Sequence, residues 1–68
     1  MSNISELMNN IEGLAKELKE NWIRNYTLSG YSAFIENENK KNVIITKAKE
    51  LGIRDEMYKR ANEMMRGQ

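Results

Sequence analysis

Apolar side chains recur at Ile4, Met8, Ile11, Ala15, Leu18 and Trp22, with spacings that alternate between four and three residues. This rhythm is helical, and it conflicts with the two-residue alternation of a strand. It predicts one long helix from about residue 4 to 26. Leu7 and Leu14 lie beside the stripe and widen it, which favours a bundle or globular core over a two-stranded coiled coil. Ser2 or Asn3 is expected to cap the start. Glu12–Lys16 and Glu20–Arg24 have the i,i+4 spacing that supports a helix face. Gly13 falls on the polar side, where it costs about 1 kcal/mol relative to alanine unless a neighbour packs there.

TLSGYS at 27–32 breaks this helix, with Ser29 or Ser32 as the expected cap of the next one. The stretch 31–51 allows three readings. Tyr31, Phe34 and Ile35 at one end and Ile44, Ile45, Ala48 and Leu51 at the other fit a helical face, but Glu36 to Asn42 is wholly polar. It is either one helix with a solvated waist, two helices broken near 39–42, or a hairpin pairing YSAFIE with NVIIT. The helical readings are preferred, because KAKEL is strongly helical and a lone hairpin is marginal in water. Gly52 then ends the helix, with Leu51 and Ile53 packing at the corner. Asp55 is expected to cap a last helix over about 55–66. The expected fold is all-α, a single helical domain over 1–68 with three helices, or four if the middle one breaks. It has a long first helix and a helix-turn-helix-like C-terminal corner.

A chain of 68 residues has room for one marginal core. It contains no cysteine and no histidine, so disulfides and Cys/His metal sites are excluded, leaving regular helix packing or self-association as sources of stability. The N-terminus does not have the pattern of a secretory signal. No run approaches the roughly 20 apolar residues that span a bilayer. The mixed charges on the first helix also differ from the Lys/Arg-rich face of a membrane-surface helix. A cytoplasmic protein is expected, and the abundance of Asn, Lys, Ile and Glu suggests a bacterial or phage source.

Catalysis by an activated nucleophile or an acid–base pair is not indicated. With no His or Cys and a single Asp, only Ser–Lys or Glu–Glu arrangements remain, and these residues occupy cap and helix-surface positions. No phosphate-binding or dinucleotide fingerprint is present. The run Glu36–Asn39 has calcium-like ligand types but lacks the turn glycine and the closing glutamate. The chain is expected not to be an enzyme, with no cofactor, metal or small-molecule substrate.

Ala48, Gly52, Ile53, Tyr58 and Ala61 are spaced as in a helix-turn-helix corner, which this stretch resembles. The resemblance implies DNA contacts by Lys47, Lys49, Arg54, Lys59 and Arg60. Charge is also unevenly spread. Residues 1–39 hold three basic and six acidic side chains, and residues 40–68 hold eight basic and four acidic. Against DNA stand Lys47, where such corners carry an apolar residue, and Asp55–Glu56, which put negative charge at the helix end that meets phosphates.

Two apolar features suggest a protein partner. Met57, Tyr58, Met64 and Met65 crowd a helix too short to bury them all. Trp22, Tyr26, Tyr31 and Phe34 fall within 13 residues; they are expected first as the core's main anchor, with an interface as the alternative. The leading expectation is therefore a regulatory protein that binds another protein and self-associates. Its interface would draw on Met8, Ile11, Ala15, Leu18 and Trp22 from the first helix and on Met57, Tyr58, Arg60 and Met64 from the last. DNA binding is the alternative.

Overall fold

A computed structural model describes residues 3–67. It contains three helices: α1 (Asn3–Asn25), α2 (Tyr31–Glu50) and α3 (Arg54–Arg66). The fold is all-α with a long first helix, as expected. Among the described residues there is no strand, so the hairpin reading of 31–51 is wrong, and α2 runs through the polar waist without a break. The waist holds because it is not uniformly solvated. Asn37 within it is 2% exposed, and Lys41 pairs with Glu38 at 3.0 Å one turn away.

α1 and α2 form an antiparallel helical hairpin, and α3 lies across α1. The crossing follows from two contacts. Tyr58 meets Trp22, while Arg60, only two residues on, meets Glu12, ten residues earlier on α1. Ten residues of helix span about 15 Å, so α3 cannot run alongside α1. The core at this junction comprises Leu14, Ala15, Leu18, Ile44, Ala48, Ile53, Met57 and Ala61. Each helix contributes one alanine with no exposed surface, Ala15, Ala48 and Ala61. Small side chains at these positions let the helices approach closely while Leu18 and Met57 fill the space around them.

The corner between α2 and α3 is a Schellman motif. The Gly52 N–H donates to the Lys49 carbonyl at 3.1 Å, and the Ile53 N–H to the Ala48 carbonyl at 2.9 Å. Gly52 has φ +72°, a conformation that glycine adopts without a Cβ penalty. Ile53 packs back into the core as expected, but Leu51 does not and is 48% exposed.

The expected side-chain caps of α2 and α3 do not form. α2 begins after Gly30, with no side-chain cap hydrogen bond from Ser29 or Ser32. α3 begins after Ile53, whose carbonyl accepts from the Met57 N–H at 2.8 Å. Asp55 is therefore inside the first turn, where with Glu56 it favours the positive end of the helix dipole. The cap expected from Ser2 lies outside the described residues. At the end of α1, the Thr27 hydroxyl donates to the Arg24 carbonyl at 3.0 Å.

Candidate interaction surfaces

The helical stripe on α1 divides in two. Leu14, Leu18 and Asn21 turn toward α2, while Ala15, Leu18 and Trp22 turn toward α3. Of the residues expected at an interface, Ala15, Leu18 and Met57 are fully buried within the chain and hold the helices together. Ile11, Trp22, Tyr58 and Met64 are partly buried and pack against that core. Met8 alone of the set is a well-exposed apolar side chain, at 62%.

Arg60 is engaged inside the molecule. Its Nε and Nη2 donate to the two carboxylate oxygens of Glu12 at 2.8 and 2.9 Å, and Nη1 reaches Glu63 at 3.4 Å. The fork of hydrogen bonds from Arg60 holds the Glu12 carboxyl below its ordinary range. A smaller desolvation effect opposes this, and the positive charge of Arg60 adds to it. Arg60 is held correspondingly above its usual value, chiefly by the same bonds. Glu12 thus pairs across 48 residues with α3, where the sequence spacing had suggested Lys16.

Of the other basic residues proposed for DNA, Lys49 and Arg54 border one groove, while Lys47 and Lys59 border others. Lys47 lines a groove between α1 and α2 with Gly13 and Glu17. Lys49 borders the corner beside Asp55 and Glu56. Arg54 lies over the Tyr58 ring at 5.2 Å and pairs with Asp55 at 3.3 Å. Lys59 is beside Asn62 and Arg66 on the outer side of α3.

A polar lock closes the hairpin between α1 and α2. Asn21 Nδ2 donates to the Asn37 backbone carbonyl and to Asn37 Oδ1, both at 3.0 Å. Asn37 Nδ2 returns a bond to the Asn21 carbonyl at 3.2 Å. No buried side-chain nitrogen or oxygen among the described residues lacks a partner. Sequence reasoning missed this pair, although the signal was there. Asn21 is seven residues after Leu14, and Asn37 is seven before Ile44, so each continues a buried apolar stripe.

Beyond the lock, toward the loop at 26–30, no residue from 22 to 36 is buried. Tyr26, Tyr31, Phe34, Ile23 and Ile35 are all exposed there. The aromatic group is therefore not the core anchor; only Trp22 reaches inward, its ring 6.2 Å from that of Tyr58. A second apolar surface lies at the other end of α1, where Ile4, Leu7 and Met8 are exposed.

No described helix is long and apolar enough to cross a membrane, and no three acidic, His or Cys side chains among the described residues converge to hold a metal ion. The surfaces and fold define a three-helix all-α domain with apolar patches at both ends. No protein-family model, curated protein or solved structure matches the chain.

Proposed function

We propose that this chain is a small cytoplasmic regulatory protein, of bacterial or phage origin, that acts by binding other protein chains, copies of itself included. One observation carries the reading. Among the described residues, ten large apolar side chains are exposed, and eight of them gather at the two ends of α1, with Val43 and Leu51 apart. Grouped apolar side chains on a small protein mark contact surfaces, whereas single ones need no explanation. The aromatic content of one patch fits this, since Trp and Tyr dominate interface energetics.

The alternative of DNA reading draws less support from the geometry. Arg60 is committed to Glu12, Lys49 and Arg54 border one groove that Asp55 and Glu56 also line, and Lys47 and Lys59 border others. Light scattering after gel filtration tests the leading reading. A mass above 8.0 kDa that grows with concentration is expected. A mass that stays at one chain up to about 1 mM, where even weak contacts of ~4 kcal/mol register, removes self-association. A random DNA duplex should not shift at low salt. A shift that vanishes as salt rises would restore the DNA reading.

A further inference from the structure

We propose that the hairpin tip is the self-association surface and that its occupant is the tip of a second copy, packed through Trp22, Tyr26, Tyr31 and Phe34. This rests on the self-association reading above and adds which surface does it. The tip is the part of the hairpin that α3 leaves bare. Trp22 touches Tyr58 of α3, and Tyr26 follows it by one turn on the same side of α1. On α2, Phe34 precedes Ile45 by three turns and shares its side, and Ile45 packs against the core. The aromatics therefore extend the covered face past the end of its cover.

Area selects the tip over the other apolar end. Tyr26, Tyr31 and Phe34 are 85%, 78% and 41% exposed. With about 200 Å² per aromatic side chain, and Ile23 and Ile35 at the edge, one tip offers on the order of 500 Å². Two copies would then bury ~1,000 Å², the lower bound of a specific interface. Ile4, Leu7 and Met8, at roughly 100 Å² per aliphatic side chain, give a pair of ends only about a third of that, within the range of incidental contacts. The tip also has the aromatic composition of an interface centre, with Arg24, Glu36 and the Glu38–Lys41 ion pair, one turn beyond Phe34, as its charged rim. A second copy supplies the same surface by symmetry, so each tip is its own complement.

The experiment is sedimentation equilibrium on the full chain and on Phe34→Glu, Tyr26→Glu and Met8→Glu, each checked for helix content by circular dichroism. The wild type should dimerise, and the emission of Trp22 should shift to the blue as concentration rises. Phe34→Glu and Tyr26→Glu should weaken dimerisation at least tenfold with helicity retained, because neither side chain is buried in the protomer. Met8→Glu should leave it within threefold. A dimer that Met8→Glu dissociates and the tip variants do not would overturn the tip proposal while leaving self-association standing. A wild-type monomer at all concentrations overturns both. Should a tip variant lose helicity, Tyr26→Ser, at the most exposed of these positions, decides by the same tenfold criterion.

Discussion

The two halves of the α1–α2 hairpin are built from similar helices but held together differently. Where α3 crosses, eight apolar residues from three helices form a dry core. Past Asn21 and Asn37, Trp22 still meets α3, but Ile23, Tyr26, Tyr31, Phe34 and Ile35 are exposed. A third helix therefore makes the difference between an apolar residue that stabilises the monomer and one that waits for a partner. The asparagine pair marks the boundary. It satisfies its own polar groups and fixes the helices in one register, but it adds little of the apolar burial that drives folding.

The sharpest way to break this contrast is Leu18→Ala. Leu18 has no exposed surface and faces both partner helices, so its truncation should cost about 2–5 kcal/mol in urea unfolding. Tyr31→Ala, 78% exposed in the tip, should change the stability of the monomer by less than ~0.5 kcal/mol. Equal effects would refute the division.

Next in size is the lock. Asn37→Ala leaves the Asn21 amide buried with fewer partners and should cost about 1–3 kcal/mol. Replacing both Asn21 and Asn37 by leucine should be near neutral or stabilising, because no unpaired polar group is left behind. Chemical denaturation of the single and double variants separates the two outcomes.

Gly13→Ala should raise stability by roughly 0.5–1 kcal/mol, since a Cβ there meets nothing within 4 Å and the helix gains backbone rigidity. A thermal melt measures it, and a fall in melting temperature would mean that the groove beside Gly13 is tighter than the structure has it.

The smallest effect expected is on pH. Because Glu12 is held below the ordinary carboxylate range in the folded state, its pairing with Arg60 stabilises α1 against α3 above that range. The contribution should fade as pH falls through the ordinary carboxylate range and below it. Glu12→Gln should flatten that part of the melting-temperature profile and leave the neutral region nearly unchanged, as befits an exposed pair.

The residues that were legible in the sequence are those whose role is local. The stripe on α1, the Gly52 corner and the return of Ile53 into the core all follow from spacing and from glycine's freedom at positive φ. Cap positions were misread because Ser29, Ser32 and Asp55 are good cap residues within a turn of the true starts, where Gly30 and Ile53 stand with no side-chain cap bond. The polar waist concealed Asn37, whose burial depends on a partner 16 residues away. The Glu12–Arg60 pair had no local signal at all, since only the crossing of α3 brings those residues together. The aromatic group was misplaced for a related reason. Four aromatics close in sequence suggest a core, but which of them is covered depends on where a 13-residue helix crosses α1.

The complete burial of Ala15, Ala48 and Ala61 has a practical consequence. An alanine scan, the usual map of what matters in a small protein, cannot register these positions, for there is no side chain left to remove. A part of the core with no exposed surface would look like blank territory between sensitive neighbours. Only enlargement reveals it. A valine or leucine at any of the three adds volume at a fully buried position, where overpacking typically costs about 1–3 kcal/mol, a sensitivity that truncation never reports.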